Sequence, residues 1–265
     1  MCTVSFIPRP AGFYLAMNRD EGLDRVQALP PTEFRRSGLR CLYPREPAGG
    51  TWIGANDAGV CLALINWPMV NHESMGEPLT RGEVVRALVD KPALSGLHQG
   101  LPRLPLRQMR PFRLIAASLQ ERSVGEWRWD GTQLGFEPHP WIRRHWFSSG
   151  FDEPEVGRQR AHVCRQAATL ASAGSLAWLR RLHGSHHPLP SPYSICMHGP
   201  GAQTVSYTEV VVSPARLTMR YQPSAPCRRY PAAAKILSVR LSTKEKRVRL
   251  FPSVGSSPGD DRRGA

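Results

Sequence analysis

The chain has 265 residues, 41% of them hydrophobic and 8% aromatic, a globular composition long enough to bury a sizeable core. Lys and Arg exceed Asp and Glu by 35 to 21, a formal net charge of +14, yet no run of 18 apolar residues occurs, which excludes a membrane-spanning helix. The N-terminus has no basic segment followed by an apolar one, and acidic residues appear by position 20, so neither a secretory nor a mitochondrial leader is expected and the default location is cytoplasmic. The six cysteines (Cys2, Cys41, Cys61, Cys164, Cys196, Cys227) form no C-x-x-C pair, and free thiols are expected.

Residues 2–21 read as two short strands around a turn at 8–12, closing on Asn18-Arg19-Asp20-Glu21. An antiparallel hairpin brings its outer ends together, so Cys2 meets Arg19 and Asp20. Removal of Met1, usual before a small residue, would make Cys2 the first residue and place a thiol and a free α-amine on one carbon. A thiol titrating near 8.5 and an α-amine near 7.7–8.0 can exchange a proton close to neutral pH. A guanidinium favours the thiolate and a carboxylate orients the amine. The plainer alternative is a small buried Cys2 beside a solvated strand end.

Residues 22–49 are loop-rich, with Pro30, Pro31, Pro44, Pro47 and the basic Arg35, Arg36 and Arg40. Strands at 51–55 and 60–66 flank the turn Asn56-Asp57-Ala58-Gly59. The second is nearly all apolar, which suits a strand covered on both faces, and it ends at Asn66-Trp67-Pro68. An amide at a strand end can donate its NH2 to a developing oxyanion. Thr80 and Glu83 have capping-box spacing ahead of a short helix carrying Val84, Val85, Leu88 and Val89. A connector at 92–111 leads to a buried strand at 111–119 and to a hairpin turning at Asp130-Gly131. Trp127, Trp129, Trp141 and Trp146 crowd this region, chiefly as packing.

Two helices are predicted at 156–171 and 175–183, with Arg158 and Arg160 in the first turn of the former as solvated charge. His183, His186 and His187 lack a Cys or acidic partner at ligand spacing, so no metal and no cofactor are predicted. Strands are predicted at 193–198, 204–213 and 216–221. From 228 to 265 ten Lys and Arg stand against three Asp and Glu. This divides the chain into a domain at 1–227 and a basic, disordered tail at 228–265. The tail has no accompanying nucleic-acid motif, so no specific nucleic-acid partner is expected.

Cys2 behind the initiator, Asn18-Arg19-Asp20-Glu21, Gly-Gly-Thr-Trp-Ile-Gly at 49–54 and Ala-Leu-Ile-Asn at 63–66 together resemble the NRDE family, the transport and Golgi organisation protein 2 group. That family is related to the N-terminal-nucleophile (Ntn) hydrolases. The resemblance runs from residue 1 to roughly 225. It implies an α+β fold, an αββα sandwich of two mainly antiparallel sheets between helical layers, which the count of hairpins and intervening helices accommodates. By match to the related cysteine amidases it implies catalytic roles for Cys2, Arg19, Asp20 and Asn66. Asn18, Trp67 and Ser149 are the substrate-binding candidates, and Ser148-Ser149 stands where many family members have Ser-Asn. The implied activity is hydrolysis of an amide or thioester of a small acyl substrate. The alternative implied by the same resemblance is a carrier of haem or of an acyl or lipid ligand in the same pocket.

Overall fold

A computed structural model describes residues 2–68, 70, 77–228 and 233–242. The chain opens with β1 (Cys2–Arg9) and β2 (Gly12–Gly22), followed by β3 (Leu29–Arg36), β4 (Leu39–Arg45), β5 (Ile53–Asn56) and β6 (Val60–Asn66). Helices α1 (Gly82–Leu88) and α2 (Leu94–Gly100) precede β7 (Phe112–Ser118), β8 (Ser123–Trp129), β9 (Leu134–His139) and β10 (Arg144–Ser148). Helices α3 (Glu153–Ala167) and α4 (Leu176–His183) lead to β11 (Ala202–Val212), β12 (Arg216–Gln222) and β13 (Lys235–Arg240).

The strands form two antiparallel sheets, a six-stranded one in the order β10-β1-β2-β11-β12-β13 and a seven-stranded one running β3 to β9 in sequence order. Alternation along each strand divides its apolar residues between two faces. Val4, Phe6, Leu15 and Met17 of the six-stranded sheet pack against Leu42, Ile53, Ala63 and Ile115 of the other, forming the central core. Val84, Val85 and Leu88 of α1 and Leu97 of α2 cover Leu62, Leu64 and Leu114 on the outer face of the seven-stranded sheet. Cys164 of α3 and Trp178, Leu179 and Leu182 of α4 cover Ile7, Ala16 and Tyr207 on the outer face of the six-stranded one. These are the four layers of an αββα sandwich. β6 is apolar on both faces because it contributes to both the central and an outer core.

Several elements depart from the sequence expectations. Residues 22–49 hold β3 and β4, which hid behind prolines and charge. β3 and β9 are the two edges of the seven-stranded sheet, and edges tolerate the missing N–H groups of Pro30, Pro31 and Pro138. The connector at 92–111 contains α2. Residues 193–198 form no strand, only an isolated bridge between His198 and Gln203. α3 begins at Glu153, capped by the Asp152 side chain, which accepts the Glu155 N–H. Lys235–Arg240, inside the segment expected to be a tail, is a strand paired with β12, with Val239 buried in the central core. Residues 229–232 and 243–265 of that segment lie outside the described residues.

β2 and β11 approach closely at Gly12, where an added Cβ would lie 2.0 Å from the Val212 carbonyl oxygen. Among the described residues no helix is long and apolar enough to cross a membrane.

Candidate active site

The β1–β2 hairpin delivers the predicted juxtaposition. Cys2 is directly opposite Arg19, and on its other side opposite Ser148 of β10. Residues directly opposite across an antiparallel pair share a face, so Cys2 and Arg19 point between the sheets, whereas Thr3, Asn18 and Asp20 point toward the helices. Cys2, Arg19, Asp20 and Asn66 all line one cleft of about 70 Å³, together with Glu21, Glu46, Trp52 and Arg81. Arg81 stands just ahead of α1. The glycines of the 49–54 segment let α1 come close: a Cβ on Gly82 would lie 2.8 Å from the Gly50 Cα, and Thr51 N–H donates to Gly82 O at 3.1 Å.

Cys2 is buried, and burial pushes its thiol above the ordinary range; the Asp20 charge adds to the rise, while a hydrogen bond from the Asp20 backbone N–H and the Arg19 charge oppose it. The expected thiolate-favouring guanidinium is therefore present but outweighed. Arg19 is already committed: it donates to Glu21 Oε2 at 3.0 Å and Glu46 Oε1 at 2.5 Å, and its guanidinium lies 4.4 Å from the Trp52 ring centroid. Arg81 donates to the Pro111 carbonyl at 3.3 Å and makes no ion pair among the described residues.

The Asp20 carboxylate is held from behind. Thr204 Oγ1 donates to Asp20 Oδ1 at 2.6 Å, and both terminal nitrogens of Arg160 lie 3.4 Å from Asp20 Oδ2. Arg160 also donates to Thr3 Oγ1 at 2.9 Å and reaches the Tyr193 and Pro192 carbonyls. It is fully buried, which corrects its expected reading as solvated charge. The signal was in the sequence: Val156, Arg160 and Cys164 follow at i, i+4 and i+8 along α3, and these three are its buried residues.

Asn18 is not brought to the cleft. Its amide nitrogen donates to the His183 and Ile195 carbonyls, both at 2.9 Å. Its Oδ1 therefore accepts from His183 Nδ1 at 3.0 Å, leaving Nε2 of a neutral imidazole to accept from Ser5 Oγ at 2.9 Å. His145 Nδ1 in turn donates to Ser5 Oγ at 2.7 Å. The chain resembles a nucleophile–imidazole–amide triad, but Ser5, Asn18 and His183 are all fully buried. Burial lowers His145 to about 4 and His183 to about 3, with nearby Arg143 reinforcing the former and His145 and Arg160 the latter. Both imidazoles thus stay neutral near pH 7 and act as packing.

Trp67 faces a neighbouring depression of about 450 Å³ with Arg113, Trp146, Phe147 and Glu153, not the Cys2 cleft. Ser149 follows the β10 partner of Cys2 and is buried; its Oγ accepts the Phe151 N–H at 3.3 Å, and its own N–H reaches Glu153 Oε2 at 3.5 Å. Deeper in this region Glu126 is buried among Arg113, Arg128, His139 and Trp146. Burial alone would raise its carboxyl, but Arg128, Arg113 and His139 together hold it at about 2.

Residues 1–132 match the family profile described as Transport and Golgi organisation 2, the family that the N-terminal motifs resemble. No curated protein matches the chain. Among solved structures, penicillin V acylase from Agrobacterium tumefaciens is similar with a TM-score of 0.54 and 14% identity, over 91% of this chain and 86% of that one. A conjugated bile acid hydrolase from Clostridium perfringens aligns at TM-score 0.49 and 8% identity, over 90% of this chain and 92% of that one. At 14% identity the acylase likeness shows the fold, that of the Ntn hydrolases, and leaves the reaction to the residues.

Proposed function

We propose that this chain, with its Transport and Golgi organisation 2 match and Ntn-hydrolase fold, is an N-terminal-cysteine hydrolase of a small acyl amide or thioester. The observation that carries the reading is the convergence of Cys2, Arg19, Asp20 and Asn66 on one cleft. The raised thiol requires a base, and the α-amine exposed by loss of Met1 is the nearest one the covalent structure supplies. Met1 itself lies outside the described residues.

In the proposed reaction the Cys2 sulfur attacks the substrate carbonyl carbon while its proton passes to the α-amine. The oxyanion of the tetrahedral intermediate accepts hydrogen bonds from the Asn66 amide and a backbone N–H. Collapse breaks the bond to the leaving group, which takes the proton from the α-ammonium. Water, deprotonated by the amine, then attacks the acyl-cysteine thioester, releasing the acid and restoring the thiol. Asp20, fixed by Thr204 and Arg160, orients the ammonium. Arg81, with no ion pair among the described residues, favours substrates carrying a carboxylate near the scissile bond.

The carrier alternative draws no support from this cleft. Among the described residues it is small, about 70 Å³, and lined by Arg19, Asp20, Glu21, Glu46 and Arg81, a polar lining that suits a charged substrate better than an apolar ligand or a haem.

The test is intact mass of the natively expressed protein before and after limiting thiol alkylation, followed by an acyl-amide screen with Cys2→Ala as control. Loss of Met1, preferential labelling of Cys2 and turnover abolished in a folded Cys2→Ala protein are the expected results. Retained Met1, or turnover unchanged in Cys2→Ala, would overturn the mechanism.

A further inference from the structure

Behind the Asp20 wall, three separate segments bring two imidazoles and two thiols together. His186 follows α4, Cys196 and His198 lie on the approach to β11, and Cys227 lies just beyond β12. Their four ligand atoms all fall within 4.8 Å of one another. His198 Nε2 is 3.4 Å from Cys227 Sγ and 3.8 Å from Cys196 Sγ, and the His186 and His198 rings are 4.9 Å apart. His186 Nε2 is buried and has no hydrogen-bond partner.

We propose that His186, Cys196, His198 and Cys227 form a tetrahedral Cys2His2 site for a zinc ion. Zinc binds thiolate sulfur at about 2.3 Å and imidazole nitrogen at about 2.0–2.1 Å; the edges of such a tetrahedron are about 3.8 Å between sulfurs and about 3.5 Å between sulfur and nitrogen. The two His198 nitrogen–sulfur contacts, 3.4 Å to Cys227 and 3.8 Å to Cys196, bracket that sulfur–nitrogen edge. Two soft thiolates and two imidazoles are a donor set that selects zinc over magnesium or calcium, and four protein ligands leave no open position, so the site is structural. Each thiol gives up its proton on coordination, so binding releases up to two protons. The orphaned His186 nitrogen, otherwise a desolvated group without compensation, gains a partner.

The location gives the metal a task. Cys196 is flanked by Ile195, whose carbonyl accepts from Asn18, and by Met197, whose N–H donates to Thr204 Oγ1. Thr204 is the residue that donates to Asp20. A zinc ion at these four ligands would pin the 184–198 segment to the residues after β12 and so brace Asp20 from behind. The sequence concealed the site because its ligands lie at 186, 196, 198 and 227, without the paired spacing of a zinc finger, and because the visible histidine group at 183–187 contributes only His186.

The experiment uses the full chain, purified under reducing conditions without chelator, with metal content by mass spectrometry and with cobalt(II) substituted for zinc. One zinc per chain is expected, with a thiolate-to-cobalt charge-transfer band and the visible bands of tetrahedral cobalt. Cys227→Ser, at the partly exposed ligand, should lose the stoichiometric zinc and weaken the charge-transfer band. Cys227→His, which keeps a ligand, should retain zinc with a weaker band. Cys2→Ala should leave both unchanged, which separates this site from the proposed catalysis. Zinc addition to the apoprotein should raise Tm. No zinc after reconstitution, unaltered zinc in Cys227→Ser, or a Cys196–Cys227 disulfide in the reduced-condition preparation would each overturn the proposal.

Discussion

The two faces of the first hairpin have opposite characters although they alternate residue by residue. On the face between the sheets, Cys2 and Arg19 end an apolar row and open onto the cleft, and the carboxylate partners of Arg19 are partly exposed, at 25% and 22% for the Glu21 and Glu46 side chains. On the helix-facing side, Thr3, Ser5, Asn18 and Asp20 are all buried and bonded to Arg160, His183 and Thr204. One face sets its polar groups beside the cleft, with partners that reach water, and the other uses polar groups as fixed joints.

This contrast can be broken most severely at Arg160. Arg160→Ala leaves the Asp20 carboxylate buried with its guanidinium gone, and removal of one partner of a buried pair typically costs roughly 3–5 kcal/mol. Denaturant unfolding should show that loss. Asn18→Ala comes next, at about 2 kcal/mol, since buried carbonyls and the His183 N–H lose their partner. On the cleft face, Arg19→Ala should cost only about 1 kcal/mol, because Glu21 and Glu46 can turn to water. The same change should slow Cys2 alkylation by raising its thiol further. A large stability loss at Arg19 together with none at Asn18 would erase the distinction between the faces.

The gentlest signal lies in the pH dependence of the helix-facing side. His145 and His183 titrate at about 4 and about 3 when folded, below the ordinary 6.5, so the unfolded chain binds protons more readily. Their contribution is fully present above pH 6.5 and is lost as pH falls from there through about 4 for His145 and about 3 for His183. The thermal unfolding midpoint should therefore fall as pH drops below 6.5, and His145→Gln should flatten the slope. Glu126, held at about 2, adds a further loss only below its ordinary value near 4.5.

The sequence made the pairing of Cys2 with Arg19 legible because hairpin register follows from local turn length alone. β6 was legible for a similar reason: an unbroken apolar run needs cover on both sides. The missing parts all depend on distant partners. β3 contains prolines and charges that make sense at a sheet edge, β4 is recognisable only beside it, and β13 becomes a strand because β12 offers it a ladder. Asn18 looked like a substrate ligand beside Arg19 and Asp20, yet it sits opposite Thr3, one step in from the strand end, with its amide tied to His183 and Ile195. Arg160 was misread because charge outweighed its position on the helical stripe with Val156 and Cys164.

The prolines at the two rims of the seven-stranded sheet bear on how molecules of this chain meet one another. An open strand edge offers unpaired backbone groups to any passing chain and invites sheet-to-sheet aggregation. β3 presents Pro30 and Pro31 with the charged Glu33, Arg35 and Arg36, and β9 presents Glu137 and Pro138. Prolines on an edge strand withhold donors from the ladder a second molecule would need, and the charges penalise its approach. The two edges of the seven-stranded sheet are thereby poor templates for pairing with a second copy.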